Sequence, residues 1–309
     1  MNIITLTLNP AFDIHCYSEN FAPYHENLAR ITANEAGGKG VNISRALTVN
    51  GVDNLAFVVL GDENGDSFAK RLSDDGMNFR SITLKGRIRE NITLHTNGAD
   101  ETRISFEGFS TDDSLLDMVY AELEKEELNG SYVTFTGRVP AGISMTAVKG
   151  FLSRLSAAGA HIVIDSRSFT LDDLVECKPW LIKPNQEEIS VYLGREIDSF
   201  DAALTGAREL YGKGISNVMI SLGSQGALLV CDGGEYVAAP PRINALSTIG
   251  AGDSSIGGFL AAAASGEDSR GMLRRAVSYG TAACMTEGTR PPMKRDVDSI
   301  IEKVEVKKV

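Results

Sequence analysis

The sequence predicts an α/β fold in which a mainly parallel central sheet carries helices on both faces, with a small β-sheet beside it. Three observations carry this. Short apolar, β-rich segments alternate with helix-periodic ones for most of the 309 residues. Two stretches, residues 12–35 and 87–107, break that rhythm. Hydrophobic content of 43% with 23% charged residues is that of an ordinary globular chain, which excludes disorder.

In chain order, Ile3–Leu8 is a short apolar run of strand type. Residues 12–35 are polar and lack a long helical pattern. Val41–Val49 has helical periodicity, and Leu55–Leu60 is again a strand. Within 87–107, Ile92–Thr96 and Thr102–Phe106 alternate apolar and polar residues around a turn at Asn97-Gly98. Two surface loops are the other reading of these stretches. The remaining strands are Tyr132–Phe135, His161–Ile164, Trp180–Ile182 and Val218–Leu222. Between and before them lie helical segments at Leu115–Leu128, Met145–Ala157 and Ala202–Leu210. Strands separated by helices need crossover connections, and crossovers make neighbouring strands parallel. At roughly 150 residues per domain the length allows two domains, but an α/β chain of this size also folds as one.

The net charge of −11 argues against a nucleic-acid or anionic-membrane surface, since both select basic patches. A small anion is different, because local lysines, arginines and amide dipoles can capture it. The four cysteines (Cys16, Cys177, Cys231, Cys284) form no C-x-x-C pair and suggest neither a zinc site nor a disulfide framework. The first residues enter a strand pattern without a basic leader, and no apolar run approaches a membrane span. A cytoplasmic, reduced protein is expected.

Chemistry is concentrated in a few glycine-rich turns. Ser247 to Ser255 contains Gly250-Ala251-Gly252-Asp253 and runs into a helical segment. Its free N–H groups and positive dipole end would favour an anion. An acid inside such a turn is either a base for an alcohol attacking the bound phosphate or an ordinary first-turn aspartate. The missing Gly-Lys-Ser/Thr excludes a Walker A loop, and Ser255 replaces the third glycine of a dinucleotide fingerprint. Gly37-Gly38-Lys39-Gly40-Val41-Asn42 brings backbone, one cation and an amide against a polar ligand or forms a flexible turn. Lys183-Pro184-Asn185 through Glu188 places Asn185 and Glu188 three residues apart. That spacing suits Mg²⁺ at a substrate phosphate, and it suits a helix capping box equally. Ser221 to Gly226 is a turn that hugs a nucleotide or closes a hairpin. Arg89, Asn91 and Arg138 add donors suited to a phosphate, or are surface groups.

Taken together and in order, these motifs resemble the PfkB (ribokinase-like) carbohydrate kinases over essentially the whole chain. The similarity is greatest to the hexose-phosphate branch, the 1-phosphofructokinase and tagatose-6-phosphate kinase group. Asn9-Pro10-Ala11-Phe12-Asp13, Gly37 to Asn42, Asn185 through Glu188, Ser221 to Gly226 and Thr248 to Asp253 carry the resemblance. Arg138 in Thr136-Gly137-Arg138-Val139-Pro140, and the Asp165-Ser166-Arg167-Ser168 run, depart from the family pattern.

The resemblance implies one ribokinase-like kinase domain over residues 1–309, with 12–35 and 87–107 forming a β-lid over the sugar. It implies transfer of the ATP γ-phosphoryl to a ketohexose phosphate, foremost fructose 1-phosphate. Tagatose 6-phosphate and fructose 6-phosphate are the alternatives within the family, and a non-catalytic sugar-phosphate-binding regulator the alternative outside it. Asp253 would be the base, with the Gly250, Ala251 and Gly252 amides as its anion hole. Asp13, Gly38, Gly40, Asn42 and Asn91 would hold the sugar. Lys39 and Arg89, with Arg138 beside them, would neutralise its phosphate. Lys183, Asn185, Ser221, Gly223 and Gly226 would bind the nucleotide, and Glu188 and Asn185 would reach Mg²⁺ through water. The expected partner is a second copy through the lid, with neither nucleic acid nor membrane.

Overall fold

In the computed structural model, which describes residues 2–97 and 101–309, every residue of the first strand, β1 (Ile3–Thr7), is buried. A strand covered on both faces needs a layer of helices on each. Successive side chains of β1 point to opposite sides. Ile4 and Leu6 join one apolar cluster with Val119, Phe151 and Leu210. Ile3 joins another with Ile43, Leu47, Phe259 and Tyr279.

The chain continues through β2 (Ala11–Tyr17), β3 (Arg30–Gly37), α1 (Lys39–Val49), β4 (Leu55–Gly61), α2 (Gly65–Asp74) and β5 (Phe79–Leu84). Next come β6 (Arg89–His95), β7 (Thr102–Ile104), α3 (Ser114–Leu123), β8 (Tyr132–Thr136), α4 (Met145–Ala157) and β9 (His161–Asp165). They are followed by α5 (Leu171–Cys177), β10 (Leu181–Ile182), α6 (Gln186–Leu193), α7 (Phe200–Gly212) and β11 (Asn217–Ser221). The last part holds β12 (Ala227–Cys231), β13 (Gly234–Ala239), α8 (Ala251–Ala264), α9 (Ser269–Ala283), α10 (Lys294–Ile301) and β14 (Glu305–Lys308).

Ten strands form the main sheet in the order β14-β13-β12-β11-β10-β9-β8-β1-β4-β5. From β11 through β5 they run parallel, and β12, β13 and β14 add an antiparallel edge. The chain leaves β1 for β4 on one side and later takes up β8 on the other. This reversal splays the connections apart and opens a crevice at the carboxyl ends of the strands.

Both irregular stretches contribute to a second, four-stranded sheet in the order β3-β2-β6-β7. It is wider than expected at one side, since β2 begins at Ala11 and β3 runs to Gly37. It is narrower at the other, where β7 stops at Ile104 rather than Phe106. Of the expected Asn97-Gly98 turn, Gly98 lies outside the described residues. The expected helix to Leu128 ends earlier, at Leu123, and the strand expected at Val218–Leu222 is displaced by one residue to Asn217–Ser221. Strands β5, β13 and β14 have no counterpart in the sequence reading. β5 is an edge strand with half its residues exposed, and β14 buries only Val306, so neither shows a sustained apolar run.

Candidate active site

Parallel pairing brings the ends of β1, β8, β9 and β10 side by side, and the first turns of α1 and α8 face them. Gly250 starts α8 with φ 75°, a left-handed conformation open to glycine without strain. This lets the helix begin abruptly, with Asp253 in its first turn. Gly252 is needed for a different reason. A Cβ there would stand 3.1 Å from the Lys183 ammonium, which reaches across this turn.

Asp253 is buried, and its carboxylate accepts a hydrogen bond from Asn42 Nδ2 at 2.9 Å. Burial raises its pKa to about 6, with the nearby Asp165 charge adding to the rise and Lys39, Lys183 and the Asn42 bond opposing it. A carboxylate with that pKa is still largely ionised at neutral pH and is a better proton acceptor than an ordinary aspartate. An ionised acid within an anion-attracting helix start can serve an alcohol attacking a bound phosphoryl group.

Lys39 is the first residue of α1, and its ammonium lies 2.7 Å from Asp165 Oδ2. Burial works against its charge, but Asp165 and Asp253 outweigh it and raise its pKa. The charges that act on Lys39 are foremost those of Asp165 and Asp253, and those that act on Arg89 are Arg138 and Asp13. Gly38 and Gly40 flank Lys39 at the start of α1, where the chain passes close over Thr7.

A second polar group forms where the small sheet meets the main one. Register pairs Asp13 on β2 with Asn91 on β6, and Asn91 Nδ2 donates to Asp13 Oδ1 at 3.0 Å. Burial raises the Asp13 pKa against that bond. Arg89, two residues before Asn91, shares its face of β6. Burial and then the Arg138 charge hold Arg89 below its ordinary pKa, with Asp13 opposing. Arg89 Nε, Asn91 Oδ1 and Asn9 Oδ1 are buried without a protein partner. Buried polar atoms left unpaired mark a place where a polar ligand or water completes the bonding.

On the far side of α8 a cleft of about 730 Å³ is lined by Lys183, Asn185, Ser221, Gly223, Gly226, Ala251 and Gly252 among others. All the nucleotide-side residues expected from the sequence line it. The turn at Ser221–Gly226 closes a hairpin between β11 and β12, as one of its two readings expected. Pro240, Pro241, Val277 and Cys284 supply apolar walls that sequence reasoning missed, since only folding brings them here.

Asn185 and Glu188 form a reciprocal capping box at the start of α6. Asn185 Oδ1 accepts from the Glu188 amide at 2.8 Å, and Glu188 Oε2 accepts from the Asn185 amide at 3.1 Å. Glu188 Oε1 accepts from Arg167 Nε at 2.9 Å. No cluster of three or more acidic, histidine or cysteine side chains suited to a metal occurs among the described residues. A single carboxylate still fits Mg²⁺ delivered on nucleotide phosphates, which needs only one or two protein oxygens.

The model of the pfkB family carbohydrate kinases matches residues 7–296. A 1-phosphofructokinase of Escherichia coli (strain K12) is 32% identical over 281 residues, covering 91% of this chain and 90% of its own. The 1-phosphofructokinase of Haemophilus influenzae is 28% identical over 306 residues, covering 99% and 98%. Among solved structures, phosphofructokinase-2 from Escherichia coli in complex with fructose-6-phosphate superposes with a TM-score of 0.91, at 26% identity and 98% coverage of both chains. No helix among the described residues is long and apolar enough to cross a membrane.

Proposed function

We propose, from the premise that this chain belongs to the pfkB family of carbohydrate kinases, that it phosphorylates fructose 1-phosphate at its 6-hydroxyl to give fructose 1,6-bisphosphate. It is a sugar-phosphate kinase, a phosphotransferase with an alcohol acceptor. One observation carries the substrate reading. A buried carboxylate, Asp253, is one polar centre, and the Arg89 guanidinium, whose Nε is buried without a protein partner, is a second. A phosphosugar has a reacting hydroxyl for the first and an existing phosphate for the second. A neutral sugar gives the Arg89 guanidinium no charge to meet.

In the reaction Asp253 takes the proton of the 6-hydroxyl as its oxygen bonds to the γ-phosphorus of ATP. The bond from that phosphorus to the bridging oxygen breaks and ADP leaves. The Gly250, Ala251 and Gly252 amides and Lys39 stabilise charge on the moving phosphoryl group. Asn42 orients Asp253, while Asp13, positioned by Asn91, binds sugar hydroxyls alongside Gly38 and Gly40. ATP occupies the cleft of Lys183, Asn185, Ser221, Gly223 and Gly226. Glu188 and Asn185 would hold the water shell of a Mg²⁺ ion, which would supply charge neutralisation at the triphosphate.

Residues 1–309 act as one kinase domain whose small sheet is a lid, and water exclusion is its purpose, because water in the site would hydrolyse ATP. Leu28, Ile31 and Ile104 of the lid region are exposed, which supports pairing of two lids in a homodimer. A cytoplasmic location fits this chemistry. The test is an ATP-consumption assay over fructose 1-phosphate, fructose 6-phosphate, tagatose 6-phosphate, fructose and ribose. The highest kcat/KM is expected with fructose 1-phosphate. Preference for another phosphosugar overturns the sugar assignment, and equal use of free fructose overturns the phosphate site.

A further inference from the structure

Asp165, the last residue of β9, is a buried carboxylate to which the reaction described above gives no task. Its side chain accepts from the Lys39 ammonium at 2.7 Å, and its carbonyl accepts from the same group at 3.4 Å. Lys183 follows β10, which pairs in parallel with β9 through Val163–Leu181 and Ile164–Ile182. The next step of that ladder sets Lys183 against Asp165, and Lys183 is itself buried.

The two lysines come from different loops. Lys39 heads the substrate loop, whereas Lys183 lines the nucleotide cleft and reaches the Gly252 turn. A long ammonium side chain without a partner turns away toward water. Asp165 pairs with Lys39 directly, and its charge and that of Lys183 face each other along the ladder.

We propose that Asp165 is a positioning residue of the kinase reaction, whose carboxylate holds the Lys39 ammonium and steadies Lys183 by charge beside the start of α8, where the phosphoryl group passes between the two substrates. Its second effect follows from charge. The charges of Lys39, Asp165 and Lys183 all act on Asp253. Asp165 stands as a like charge near Asp253 and keeps it more basic. The burial of Asp165 opposes its own ionisation, and Lys183 and Lys39 overcome that opposition, so the carboxylate stays charged. This inference rests on the assignment of Asp253 as base.

The test is Asp165→Asn, checked for folding by circular dichroism and melting temperature, with kcat and both KM values followed from pH 4.5 to 9. Loss of the clamp should raise KM for ATP and for the phosphosugar together, each about tenfold. Loss of a like charge should move the acid limb of kcat to lower pH by about one unit. A folded variant with an unmoved limb, or with only one KM changed, overturns the proposal. Should Asp165→Asn not fold, Asp165→Glu keeps the charge and shifts it by one methylene. It should raise both KM values and leave the limb in place, and unchanged KM values there overturn the clamp. Asp253→Asn in the same assays separates the two ideas. If it retains turnover, the base assignment fails, while the KM values of Asp165→Asn still decide the clamp.

Discussion

At the scale of single residues, Asp253 joins function to a cost in stability. Its pKa in the fold is about 6, against 3.8 for an ordinary aspartate, so the folded state binds the proton more tightly than the unfolded chain. The sign follows. Folding suffers no penalty from Asp253 below about pH 4, and the penalty grows as pH rises through 6, reaching roughly 3 kcal/mol. Asp253→Asn should therefore lower kcat by about 10²–10⁴ yet raise the melting temperature at pH 7.5 by a few degrees. Calorimetry beside steady-state kinetics checks both, and a variant that is active or less stable contradicts the reading. Asn42 is the complementary case, because its amide favours the charged form of Asp253. Asn42→Ala should move the acid limb of kcat upward by roughly one pH unit. The rate would then fall severalfold at pH 6 and little at pH 8. Neither partnership was legible in the sequence. Asn42 and Asp253 stand 211 positions apart, and Lys39 and Asp165 stand 126 apart. Residue types and local turns could announce an anion site, but which amide meets which carboxylate is decided by sheet order.

At the scale of elements, the helix starts were the most readable parts, because a cap, a dipole and a ligand site all demand local residues. The α6 start shows how one spacing serves two purposes. Its capping box is formed, and Glu188 retains unshared lone pairs through which a water of Mg²⁺ can be held. Glu188→Gln keeps an acceptor at the third helical position, so the box survives and stability should change by less than about 1 kcal/mol. The ion pair with Arg167, which is 71% exposed, adds little. The Mg²⁺ concentration for half-maximal activity should nevertheless rise severalfold. An unchanged titration with a lower melting temperature would assign Glu188 to capping alone. Strands were less readable at the edges. β1, β8 and β9 are almost wholly buried and read as apolar runs. By contrast, β3 is largely exposed or half-buried, and only its pairing with β2 makes it a strand.

At the scale of the whole molecule, the two sheets divide the labour. The main sheet carries the large cleft and the start of α8, and the small sheet brings Asp13, Arg89 and Asn91 together. Two-sided burial and strand–helix alternation made the main sheet legible. The small sheet's role came from family resemblance, since its alternation fits surface loops as well. If lids pair between two copies, Ile31→Asp should give monomers in sedimentation velocity at micromolar concentration, and an unchanged dimer would place the contact elsewhere. The layout makes a sharper demand. On the proposed reading, the phosphate already on the substrate belongs at Arg89, apart from the Lys39–Asp253 end where the new ester would form. The most direct measurement is the ratio of kcat/KM for fructose 1-phosphate to that for fructose, in the parent chain and in Arg89→Ala. The ratio should drop about tenfold or more in the variant, with KM for ATP unchanged. An equal loss for both sugars, leaving the ratio intact, would contradict a phosphate site at Arg89.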